Sequence, residues 1–64
     1  QYQLELEGAS NTFADFSISI FDQQIQSIEN AEILSVDDKG IMKIRVRFPA
    51  VREKYSKVWV KMNL

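Results

Sequence analysis

The sequence predicts an all-β domain, and three observations carry that expectation. Residues 42–48 alternate strictly, with Met42, Ile44, Val46 and Phe48 apolar and Lys43, Arg45 and Arg47 charged between them. A period of two belongs to a strand with one face on a core and one in water. Just ahead, Asp37-Asp38-Lys39-Gly40 combines residues that tolerate the positive φ of a tight reversal. The same alternation recurs near both ends, at Tyr2, Leu4 and Leu6 and at Val58, Val60 and Met62.

The elements follow in order. A first strand runs from Tyr2 to Gly8, with a loop over Ala9-Ser10-Asn11-Thr12. Phe13 to Ile28 supports two readings. As a strand, Phe16, Ile18 and Ile20 alternate with Ser17 and Ser19 and β-forming residues dominate. As a helix capped at Ser10 or Asn11, Phe13, Phe16, Ile20, Phe21, Ile25 and Ile28 share one broad stripe. The strand is the preferred reading, because two serines and three β-branched isoleucines are indifferent helix formers. Asp22-Gln23-Gln24 is then a turn, and Ile25 to Ile28 leads into the central hairpin by irregular or short-strand backbone. The first arm of that hairpin holds Ala31, Ile33 and, after a shift past Leu34, Val36. Pro49 ends the second arm because proline cannot donate to a ladder. Ala50 to Lys54 is a polar connection able to make one helical turn, and Ser56 to Asn63 is the last strand. The expected core is Leu4, Leu6, Phe16, Ile18, Ile20, Ile33, Met42, Ile44, Val46, Phe48, Val58 and Val60.

Composition limits the chemistry. Sixty-four residues make one small domain, which buries only about 60% of its unfolded surface. The lack of an initiator Met or signal pattern at Gln1-Tyr2-Gln3 reads as a fragment of a longer chain or a processed product. Cysteine and histidine are both absent, which removes disulfides, His/Cys metal sites, cysteine nucleophiles and histidine acid–base chemistry from this chain. No run of about 18 apolar residues is present to insert into a membrane. Glu5, Glu7, Asp15, Asp22, Glu29, Glu32, Asp37 and Asp38 precede every base, and only Glu53 follows Lys39. Strands from the two halves lying side by side would neutralise one another. Separate surfaces would instead make a dipolar domain suited to head-to-tail stacking or an acidic partner.

With the strand reading, Ile20, Asp22, Ile28, Ala31, Ile33, Gly40, Met42, Ile44, Val46, Val58 and Val60 resemble the pattern of immunoglobulin-like, or prealbumin-like, modules of the carboxypeptidase-regulatory-like type. The likeness spans roughly residues 16–62. Gln23-Gln24 and Asn30 depart from it where glycine is common. It implies a small immunoglobulin-like β-sandwich of about five or six strands, used without catalysis as a spacer or interaction domain of a larger surface or periplasmic protein. The helix reading over residues 2–48 instead resembles the α+β ferredoxin-like domains of type IV pilus and type II secretion inner-membrane assembly proteins, which act by pairing with other proteins.

The candidate sites are few. Asp37-Asp38 lacks the spaced oxygens of a calcium loop and reads as a turn. Asp15 and Asp22 flank the second strand without any feature that brings them together. Neither glycine belongs to a phosphate-cradling loop, so neither an enzyme nor a cofactor is expected. If the last strand lies beside strand 41–48, Trp59 joins Lys43, Arg45, Arg47, Lys57 and Lys61 on one outer face. Packing of basic side-chain stems on the indole accounts for such a face. A protein partner or a neighbouring domain of the same chain is the expected functional occupant, with nucleic acid disfavoured by the acidic pI of about 5.2. An exposed edge strand could also support a homo-oligomer.

Overall fold

The computed structural model describes residues 2–20 and 23–63. Six strands form: β1 (Tyr2–Ala9), β2 (Thr12–Ser19), β3 (Ser27–Glu29), β4 (Glu32–Val36), β5 (Ile41–Phe48) and β6 (Tyr55–Asn63). Among the described residues there is no helix. The strands pair antiparallel as two sheets of three, β1-β6-β3 and β2-β5-β4. Contacts between the sheets run from β1 to β2, β5 to β6 and β3 to β4, so each strand lies over one of the other sheet. The chain changes sheet at every connection except the β4–β5 hairpin.

The core is built on the two central strands. Met42, Ile44, Val46 and Phe48 of β5 and Val60 of β6 are fully buried, and Met62 nearly so. Leu4, Leu6, Ala14, Phe16, Ile18, Ile20, Ile25, Ile28, Ala31 and Val58 are half-buried against them. Each fully buried side chain of this size contributes roughly 1.5–3 kcal/mol over its exposed state. The alternation of β5 thus has its expected consequence: every second residue is inside and every residue between is exposed.

The link from β1 to β2 has only two residues, Ser10 and Asn11, and Asn11 takes a left-handed φ of 62°. Asparagine tolerates that region better than most side chains. The Ser10 N–H donates to the Lys54 carbonyl (3.0 Å) and the Asn11 N–H to that of Pro49 (3.2 Å). The Ser10 hydroxyl donates to the Glu53 carbonyl (2.7 Å). Two crossovers, β1–β2 and β5–β6, are therefore bonded side by side at one end. The 49–54 segment is irregular backbone with a bend at 52–54 rather than the helical turn its composition allows.

The β4–β5 hairpin turns on Asp37. Its Oδ1 accepts from the Lys39 and Ile41 N–H groups, both at 2.9 Å, and Gly40 has φ of 80°. This satisfies backbone donors inside the turn. The ladder is irregular between Ile33 and Ser35, which is the shift past Leu34 that the apolar spacing requires.

The structure corrects three expectations. Residues 12–19 are extended, with Ala14, Phe16 and Ile18 turned inward, so the α+β ferredoxin-like alternative is not supported. Pairing of β2 along all of β5 outweighs any helical stripe. Ile33 is 39% exposed and lies outside the core, because β4 is an edge strand faced only by the three-residue β3. Met62, by contrast, belongs to the buried core. The turn expected at Asp22-Gln23-Gln24 lies partly outside the described residues.

Gly8 fixes how closely the sheets approach. It pairs with Ser56, so two small inward positions lie side by side. A Cβ on Gly8 would stand 2.5–2.8 Å from ring atoms of Phe48, whose side chain is buried and unable to swing away. Gly8→Ala is expected to lower unfolding stability by about 1–3 kcal/mol through overpacking. Adding Phe48→Leu should return part of that loss in urea denaturation; simple additivity of the two losses would disprove the steric account.

Candidate functional site

The six residues expected on one face occupy two. In β5 the even-numbered residues are buried and the odd-numbered ones exposed, so Lys43, Arg45 and Arg47 lie on the outside of the β2-β5-β4 sheet. In β6, Ser56, Val60 and Met62 are buried, so Lys57, Trp59 and Lys61 lie on the outside of the other sheet. The expected single face is therefore divided between opposite surfaces. Its premise fails because β6 pairs with β1 and β3, not with β5, after the 49–54 segment has crossed between layers.

Each basic row has acids beside part of its length. On one surface Arg45 sits between Asp15 of β2 and Glu32 of β4 in register. It donates to Asp15 through Nε (2.9 Å) and Nη2 (3.2 Å), a two-point contact suited to a planar guanidinium. This hydrogen bond is the main cause holding the Asp15 carboxyl below its ordinary value of 3.8, with the Arg45 and Lys43 charges adding to it. The same bond raises Arg45.

On the other surface Glu7 lies opposite Lys57, Glu5 opposite Trp59 and Gln3 opposite Lys61, while Glu29 of β3 also faces Lys61. Lys57 Nζ is 3.9 Å from Glu5 Oε1. Acidic strands of the first half thus lie beside basic strands of the second, with ion pairs at Asp15–Arg45 and Glu5–Lys57. Lys43 and Arg47 have only serine or phenylalanine beside them in register, and Trp59 lies on the opposite surface from that basic row.

Trp59 stands at the middle of its surface, 48% exposed. Its carbonyl accepts from Asn30 Nδ2 (2.7 Å). Asn30 has φ of 67° and follows the last residue of β3, so its amide bonds where a longer β3 would have continued. Asp15 lies within β2 rather than at its end, and Asp22 is outside the described residues.

Pairing of the strands also leaves free edges that single residues do not announce. β1 and β2 are the outer strands on one side of the two layers. The Ser10 N–H to Lys54 carbonyl bond continues the β1–β6 ladder, and places its bonded pairs at even-numbered residues of β1. Because bonded and non-bonded pairs alternate in an antiparallel ladder, the N–H and C=O groups of Gln3, Glu5 and Glu7 point away from β6. The Ala9 carbonyl is taken by the Thr12 hydroxyl (2.6 Å). Neither outer strand carries a proline, a bulge or an inward charge, the devices that usually blunt such an edge.

At one end of the layers an apolar cleft of about 250 Å³ is lined mainly by Tyr2, Leu4, Ile18, Ile20, Ile25 and Met62. It offers no acid–base pair among the described residues. Nor do those residues contain a group of three or more carboxylates placed to hold a metal ion.

The class defined by this architecture is an all-β domain of two three-stranded antiparallel sheets. No protein-family model matches the chain, and no curated protein or solved structure matches it.

Two outcomes follow. Because the folded-state pKa of Asp15 is depressed, its pair adds stability above the ordinary carboxylate range. That increment is lost as pH falls through the lowered pKa. Asp15→Asn should remove this part of the acid dependence, read from urea midpoints across pH 2–6, about the range over which carboxylates titrate. Asn30→Ala, which loses the bond to Trp59 and strains a left-handed φ, should cost about 1–3 kcal/mol. Asn30→Gly should cost less, and equal losses would show that backbone strain plays no part.

Proposed function

We propose that the chain is a non-catalytic interaction or spacing module of a larger protein, built as an immunoglobulin-like sandwich and engaging partners through an open strand edge. The observation that carries this reading is β1: eight residues long, at the rim of its sheet, with its odd-numbered backbone groups turned outward. A row of unpaired N–H and C=O groups is a template for an added strand, and main-chain bonds supply affinity while alternate side chains supply selectivity. The mixture of acids and bases on both outer surfaces supports the same reading, since neither flat face carries one sign alone and unused backbone bonding capacity lies along the rim. Two packed antiparallel sheets with apolar central strands support the sandwich assignment.

Selection from a random-peptide display library against the immobilised domain tests the proposal. Enriched sequences should carry apolar residues at alternate positions, and a proline placed mid-sequence should abolish their binding. Enrichment of nothing above the bare support, or of sequences indifferent to that proline, would count against edge pairing.

A further inference from the structure

We infer that the β1 edge accepts an extended protein segment in which basic and apolar residues alternate. This rests on the edge-binding reading above and narrows it to one strand and one partner chemistry. β1 already pairs with such a segment on its inner side, Lys57-Val58-Trp59-Val60-Lys61 of β6, in register with Glu7, Leu6, Glu5, Leu4 and Gln3. Its free side presents the same side chains, because outward residues flank both neighbouring lanes of a sheet.

The charge on this strand is the less committed of the two rims. On β2 the single acid, Asp15, is held by two bonds from Arg45. On β1, Glu5 meets Lys57 only at 3.9 Å, and Glu7 has no ion pair among the described residues. A strand added beside β1 would set its outward lysines or arginines against Glu5 and Glu7. Its inward residues would cover Leu4 and Leu6, which are only half-buried. A second copy of β1 fits less well, since its outward residues are Gln3, Glu5 and Glu7: it offers no opposite charge in any register, and where a register sets glutamates opposite one another like charges are destabilising.

The test uses the ¹⁵N-labelled domain and two capped peptides of equal length, one alternating lysine with valine and one alternating glutamate with valine. The lysine peptide should shift the Gln3, Glu5 and Glu7 amides saturably, and bind about tenfold more tightly at low salt than the glutamate peptide. Glu5→Pro, which blocks an amide that the intact fold leaves unbonded, should abolish those shifts. Exchanging both acids, Glu5→Lys with Glu7→Lys, should reverse the preference even if the proline variant unfolds. Shifts confined to β2 or β4 amides would overturn the assignment to β1 and leave edge binding standing. No response of any edge amide to either peptide would overturn both. Binding that survives Glu5→Pro in a folded domain would show general charge attraction, and concentration-dependent shifts of the same amides without peptide would show a second copy; either would refute the inference.

Discussion

The inward row of β5 is the constraint on which the rest of the structure depends. Met42, Ile44, Val46 and Phe48 have almost no exposed surface, although the domain has only two thin layers. Such burial requires a sheet on one side and paired strands on both flanks. β2 runs along the full length of β5 and β4 along part of it, while β6 lies across the layer gap. A polar residue at any of the four positions would strand an unpaired group between the layers, at a cost of about 1–3 kcal/mol or more.

Close approach of the layers at one end follows from small residues, not from large ones. Gly8 and Ser56 stand opposite each other in β1 and β6, and the Phe48 ring occupies the space that a side chain on Gly8 would fill. The crossovers at the same end are bonded to one another through Ser10 and Asn11. A domain this small has little apolar surface to spare, so local backbone bonding at its crossovers takes a larger share in fixing how the layers meet.

Strand periods were legible wherever one face met the core and the other met water. That condition holds for β5, β6, β1 and β2, and it also decides against a helix over 12–19. It fails for β4, whose five residues are all exposed, and so the apolar Ile33 looked like core. What periodicity does not carry is which strand lies beside which. Lys57, Trp59 and Lys61 have the same pattern whether β6 joins β5 or faces it, and the 49–54 connection gives no sign that it changes layer. The candidate basic face is divided for that reason, while the side-by-side placing of acidic and basic strands, which needs only that the two halves be neighbours, is realised in part, at Arg45 and Lys57 but not at Lys43 or Arg47. The free edge of β1 was hidden for the same cause: an unpaired amide is a property of pairing, not of composition.

Backbone polarity and surface charge are distributed unevenly over the domain. Its outer surfaces are laced with opposite charges, and its unused hydrogen-bonding capacity lies along a rim. Native-state hydrogen exchange along β1 measures this most directly. Amides of Leu4 and Leu6, bonded to β6, should exchange only on global unfolding, whereas those of Gln3, Glu5 and Glu7 should exchange as freely as loop amides. Uniform protection along β1, or protection of the odd-numbered amides alone, would contradict both the pairing and the open edge.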